Sequence, residues 1–183
     1  MYKSYTVGPL STFRTAGFGS HRSAWLADSI PNPLAQSGPG LNLDISGELT
    51  NPSGVHVQHA GSGSAINFAA NDFIYTTGMA NCFAVCAVWG VKVGRAFPNG
   101  YLAHVSNPHQ TFFATALANI PQGAWIVVDV GPGNAGPGNW GNVIATKIHT
   151  IHQHAEDHIW IYRRGPQGNA GFGINKYGRF GET

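Results

Sequence analysis

The sequence predicts one loop-rich domain of the α+β or mostly β class. Three observations carry that reading. A chain of 183 residues with 43% apolar residues is long enough to bury a real core. Its 25 glycines and 11 prolines follow no fixed period, which excludes collagen and solenoid architectures and implies many turns between short elements. Short β-branched and alternating apolar runs recur, and helical signals are confined to two segments.

Residues 1–65 form a loop-rich N-terminal part, punctuated by Pro31-Asn32-Pro33 and Ser37-Gly38-Pro39-Gly40. Within it, Leu41 to Ile45 and Val55-His56-Val57 alternate like half-buried strands. The stretch from Ile66 to Tyr75 reads as a strand, or a strand and a turn. Cys82 to Val93 reads as a buried strand, with bends at Gly90 and Gly94, and Tyr101 to Val105 as a short strand. Asn107-Pro108 suits a helix start, with Asn107 as N-cap and Pro108 in the first turn. That helix would run through Ala118 and stop at Pro121 to Gly123. Ala124 to Val130 is a strand. Gly131 to Gly141 is a loop, and Asn142 to Ala155 reads as a second helix. Ile159 to Tyr162 and Gly173 to Tyr177 close the domain as strands. No linker divides 66–183, so the whole chain is expected to be one domain with its chemistry in that later part.

Composition narrows the function classes. The net charge is +2 with neutral histidine, and the basic residues are scattered apart from Arg163-Arg164. No basic stripe exists to follow a phosphate backbone, which argues against nucleic acid. The longest apolar run, Phe83 to Val91, is far too short for a membrane span. The N-terminal residues lack an apolar core of the Sec type, whereas a specialised secretion route would leave no such mark. The two cysteines lie four residues apart, which on a strand is about 13 Å, too far for a disulfide. They are expected to be thiols in a protein that acts in a reducing compartment.

Cys82 and His104 carry the sharpest chemistry. Cys82 sits at the mouth of an apolar strand, after Gly78-Met79-Ala80-Asn81, and His104 sits near the end of the next apolar run. A thiol beside an imidazole loses its proton to it, and the thiolate attacks carbonyl carbon. The imidazolium then protonates a leaving amine. Backbone N–H groups in the turn before Cys82 would receive the oxyanion. Thr76 or Thr77 would orient the imidazole. The alternative is an inert core thiol, a reading that suits Cys86 well.

Two further features were weighed. His149, His152, His154 and His158 would offer metal ligands if a helix put them on one face, with His56 and His59 as remote additions; the alternative is a polar helix face. The loop from Gly131 to Asn139 lacks a Gly-Lys-Ser/Thr ending, and its prolines remove donors, so it is not a phosphate loop. A surface loop that grips a protein substrate, with Trp140 as anchor or as core, fits better.

The run from Gly78 to Cys86 resembles the nucleophile motif of the CheD chemotaxis deamidases, and Gly100-Tyr101-Leu102-Ala103-His104 resembles the element that carries their histidine. Thr76 holds the place of the family threonine, six positions before the cysteine. Cytotoxic necrotizing factor and Burkholderia lethal factor share the arrangement. Asn81 stands where the family has serine, and the Cys-to-His interval is longer than in the toxins. About 75 residues precede the motif, a layout nearer the lethal factor.

The resemblance covers about residues 70–180. It implies a layered β-sandwich with mixed strands and flanking helices. It implies hydrolysis of a glutamine side chain in a protein, with Cys82 as nucleophile, His104 as general base and acid, Thr76 as orienting residue, and Asn81 and Thr77 in the oxyanion or substrate subsite. It calls for no cofactor. Expected partners are a protein substrate such as a Rho-family GTPase, a translation factor or a chemoreceptor, met by a monomer. The expected setting is a secreted or injected effector in a host cytosol, or else the bacterial cytoplasm. Transglutaminase- or protease-type acyl transfer and a non-catalytic β-rich binding module remain as alternatives.

Overall fold

A computed structural model describes residues 6–9, 53–107, 111–130, 144, 147–149, 153, 158–163 and 170–182. The strands are β1 (Thr6–Pro9), β2 (Gly54–Val57), β3 (Ser62–Asn67), β4 (Phe73–Met79), β5 (Phe83–Trp89), β6 (Asn99–Val105), β7 (Trp125–Val130), β8 (Ile159–Arg163), β9 (Ala170–Asn175) and β10 (Phe180–Glu182), and helix α1 spans Thr111–Ala118. They build a six-stranded sheet of order β1-β8-β7-β5-β6-β3 and a four-stranded sheet of order β10-β9-β4-β2. Strand directions are mixed: β7 and β8 run parallel, as do β2 and β4, and the other pairs are antiparallel. The fold is α+β, a layered β-sandwich with helical cover, as the sequence led us to expect.

The apolar pattern of β5 explains the layering. Phe83 to Val88 are all buried, without alternation, because both faces of this central strand are covered. Phe83, Val85 and Ala87 pack with Phe113, Ala116 and Leu117 of α1 and with Ile144 and Ile148. Phe83 meets Phe113 edge to face, with ring centroids 5.2 Å apart. Ala84, Cys86 and Val88 face the other way, into a second core with Ile74, Phe172, Ile174 and Phe180 of the smaller sheet. That sheet has only one covered side along β4: Ile74 and Thr76 point in, while Phe73, Tyr75 and Thr77 are half-buried or exposed.

Several sequence expectations shift by a few residues or change kind. The expected strand from Ile66 to Tyr75 is two strands joined by a turn, because Asn67 ends β3 and its side-chain Oδ1 accepts a 2.8 Å bond from Ala69 N–H. β10 is a strand the sequence reading did not foresee. Asn175 produces it: its buried Oδ1 accepts from Tyr177 N–H at 2.9 Å and Arg179 N–H at 3.0 Å, folding β9 back onto β10. The N-terminal part is not set apart from the later one. β1, β2 and β3 contribute strands to both sheets, and β3 crosses position 66. An ion pair at 2.7 Å joins Lys176 to Asp72, whose other oxygen accepts from Ser53 N–H at 3.0 Å.

The helix expected to open at Asn107-Pro108 is described from Thr111 and ends at Ala118 as anticipated, with Gly123 at φ +81° in the turn before β7. Gly90 and Gly94 bend the β5–β6 connection with φ of +100° and +62°. The expected strand at 41–45, the loop at 131–141 and most of the helix at 142–155 lie outside the described residues. Among the described residues, no helix is long and apolar enough to cross a membrane.

Candidate active site

His104 lies on β6 and points between the sheets, where it is almost fully buried. Its Nδ1 stands 2.8 Å from Oγ1 of Thr76 on β4, in the opposing sheet. The Thr76 hydroxyl in turn donates to the Val57 carbonyl at 2.6 Å. This chain of contacts sets the imidazole tautomer. A carbonyl only accepts, so the single hydroxyl proton of Thr76 goes to Val57. Oγ1 must then accept from His104, which places a proton on Nδ1 and leaves Nε2 as the basic nitrogen of the neutral ring.

Local structure holds the relay. Parallel pairing of β2 with β4 sets Val57 opposite Thr76. The inward position of Thr76 follows from the alternation of β4. β6 brings His104 to the same level because Ala84 of β5 is its direct cross-strand partner.

Cys82 immediately precedes β5 and lies two residues from Ala84. Cross-strand register makes Cys82 and His104 diagonal neighbours, with backbones about 7–8 Å apart. Cys82 packs partly against the core between the sheets, the side into which His104 points. It is half-buried, whereas Cys86, four residues further along, is fully buried, and neither forms a disulfide.

The turn that delivers Cys82 is shaped by its neighbours. Met79 is fully buried and anchors the end of β4. A register shift between Thr76 and Met79 and a φ of +72° at Gly78 re-aim the chain. Gly78 and Met79, expected in the turn, therefore belong to the strand, and only Ala80 and Asn81 remain in the exposed turn.

Cys86 behaves differently from Cys82. Burial pushes its thiol well above the ordinary range, and the neighbouring Asp129 carboxylate adds to the rise. Such a thiol stays protonated and unreactive at neutral pH.

The other expected site residues are not gathered as the sequence suggested. Of the two threonines, Thr76 meets the imidazole. Thr77 points outward on the far side of the smaller sheet, where its hydroxyl lies 3.0 Å from His56 Nε2. There it cannot contribute to an oxyanion subsite between the sheets, because adjacent residues of a strand face opposite ways. Asn81 is exposed next to Cys82. Half of the histidine cluster, His152 and His154, lies outside the described residues. His158 stacks on Trp125 at 3.8 Å, and His56 stacks on Tyr75 at 4.6 Å. Among the described residues no group of three or more His, Cys, Asp or Glu side chains is placed to hold a metal ion.

Two polar groups near the imidazole were missed. The Val57 carbonyl left no sequence signal, since a strand pairing is not visible in one strand. Asp129 did leave one: it is a lone carboxylate in the apolar run Trp125 to Val130, in a chain with only 10% charged residues. It is fully buried. Compared with known proteins, the chain matches no family model and no curated protein.

Proposed function

We propose that this protein is a cysteine-dependent amidohydrolase that converts a glutamine side chain of a protein substrate to glutamate. The observation that carries the reading is the Val57–Thr76–His104 relay, which leaves a basic Nε2 at the level of a half-buried thiol at a strand mouth. The resemblance of residues 76–86 and 100–104 to the CheD-like deamidases supports the same assignment.

His104 Nε2 takes the Cys82 proton as Sγ bonds to the carboxamide carbon. The resulting oxyanion would be received at the Asn81-Cys82 backbone, since Ala80 N–H is directed to the Gly78 carbonyl at 3.2 Å. Collapse breaks the C–N bond, His104 returns the proton to the leaving nitrogen, and ammonia departs from a thioester. Water then attacks the thioester as His104 takes one of its protons, the C–S bond breaks, His104 returns that proton to the Cys82 thiolate, and the product acid gives its remaining proton to solvent to leave a carboxylate. The net reaction consumes one water and releases one ammonia, and no cofactor enters it. A general base in this role is worth about 10²–10⁴-fold in rate.

By the same resemblance, the substrate is a host protein such as a Rho-family GTPase or a translation factor. The setting is then a host cytosol reached by a secreted or injected effector.

The test is mass spectrometry of a host-cell lysate treated with wild-type protein or Cys82→Ser. A single glutamine converted to glutamate only by the wild type is the expected result and names the substrate. No conversion, together with a Cys82 that iodoacetamide does not label in the native protein, overturns the reading in favour of a binding module. Amine incorporation or chain cleavage at the same site would reassign the thioester to transglutamination or proteolysis.

A further inference from the structure

Three strands place three side chains in one row across the larger sheet. His104 of β6 is the register partner of Ala84 on β5, and Ala84 is the register partner of Asp129 on β7. Register partners on neighbouring strands face the same side, so Asp129 points between the sheets, as His104 does. The strand between them contributes only a methyl group. The imidazole and the carboxylate therefore share one face of the sheet, two strand spacings, or about 10 Å, apart at the backbone.

We propose that Asp129 is the counter-charge of the His104 imidazolium, a positioning residue that acts through His104 rather than on the substrate. The inference deepens the Cys82–His104 reading and rests on it. Thr76 holds the ring by a hydroxyl, which selects the tautomer but carries no charge. When His104 accepts the thiol proton it becomes a cation in a buried site, and an uncompensated buried cation is costly. A carboxylate on the same row offsets that cost and raises the basicity of Nε2. Asp129 also lies close enough to the buried Cys86 thiol to act on it, which agrees with its place on the face between the sheets.

Among the described residues, the titratable side chains placed around the imidazole are Cys82 just before β5, Cys86 of β5 and Asp129 of β7. His59 lies in the exposed turn that covers the backbone carbonyl of His104, and β2 and β4 present the Val57 carbonyl and the Thr76 hydroxyl.

The test is an NMR titration of His104 in the full chain with Cys82→Ala, which removes the thiol from the equilibrium and needs no substrate. Adding Asp129→Asn should lower the His104 midpoint by about one pH unit or more. Asp129→Glu, which keeps the charge, should restore most of it. An equal midpoint in the folded Asp and Asn proteins overturns the proposal. If the Asn variant does not fold, the parent titration decides. A midpoint at or above the ordinary histidine value of about 6.5 supports a counter-charge, and a depressed one overturns it. A shifted midpoint without any deamidation in the lysate sinks the proposed reaction and leaves the charge pair. Deamidation with an unmoved midpoint sinks the charge pair alone.

Discussion

Cys82 and Cys86 share one stretch of chain, yet their surroundings differ in the two respects that govern thiol chemistry. Cys82 stands at the open end of β5, half-buried, diagonal to an imidazole whose basic nitrogen is set by Thr76. Cys86 stands mid-strand, sealed between the sheets near a carboxylate that pushes its thiol further up. Position along a strand therefore separates a candidate nucleophile from an inert filler. The strand mouth is accessible and adjoins a turn, whereas the strand centre is sealed on both faces; both thiols lie diagonal to the His104 imidazole.

The largest test of that contrast is kinetic. Cys82→Ser should lower deamidation by roughly a thousandfold or more, as loss of a nucleophile does. Cys86→Ala should leave the rate close to wild type and cost about 1–2 kcal/mol in urea unfolding, the effect of a small core deletion. Native iodoacetamide labelling should mark Cys82 first and Cys86 only after unfolding. Equal labelling of both thiols would erase the distinction.

Thr76→Val should come next. It keeps the shape of the side chain but removes the bond to His104 Nδ1 and leaves the Val57 carbonyl without its donor. We expect a loss of about 1–3 kcal/mol in stability, the usual cost of orphaning buried polar groups. The rate should fall by roughly 10–100-fold through loss of the correct tautomer. The outward-facing Thr77→Val serves as its control and should change little, and a larger effect from Thr77 would reverse our placement of the two.

Gly78→Ala probes the irregular end of β4 that leads to Cys82. A side chain there meets no neighbour, so any effect is conformational and arises from the φ of +72°. Destabilisation of about 1–2 kcal/mol is expected, measured by thermal unfolding.

The smallest effect should come from Asp72, far from either thiol. Its carboxyl is held below its ordinary value: burial opposes the shift, but the Lys176 hydrogen bond, the Ser53 N–H and the Lys176 charge outweigh it. A depressed folded-state value means stability that is present above the unfolded carboxylate range and is lost as pH falls through the lowered value. Asp72→Asn should therefore destabilise by under about 1 kcal/mol near neutral pH and make no difference in strong acid. An unchanged gap across the titration would show that the pair acts by packing rather than charge.

Much of the candidate site could be read along the chain because its signals are local. A continuous apolar run from Phe83 to Val88 marks a strand buried on both faces, and Gly78 marks the positive-φ kink in the end of β4 that leads to its mouth. What could not be read were the partners. Val57, Thr76 and His104 meet across two sheets, and choosing Thr76 over Thr77 required knowing which face of β4 turns inward. Ile66 to Tyr75 left a strand, or a strand and a turn, both open because its apolar content spans a turn that Asn67 closes by a side-chain bond with no periodicity. β10 escaped notice for a like reason: three residues carry too short a pattern, and Asn175 creates the strand by turning the chain.

Local chemistry thus determined the strand-rich class, the depth of β5, two cysteines without a disulfide and the pairing of Cys82 with His104 as candidates. These follow from side-chain hydrophobicity and backbone freedom, which act between near neighbours. Tertiary structure alone decided the tautomer of His104, the carboxylate beside the Cys86 thiol and the row that holds His104 and Asp129. Each of those depends on strand register and on which faces are buried, and register is a property of pairs of strands, so no single stretch of sequence contains it.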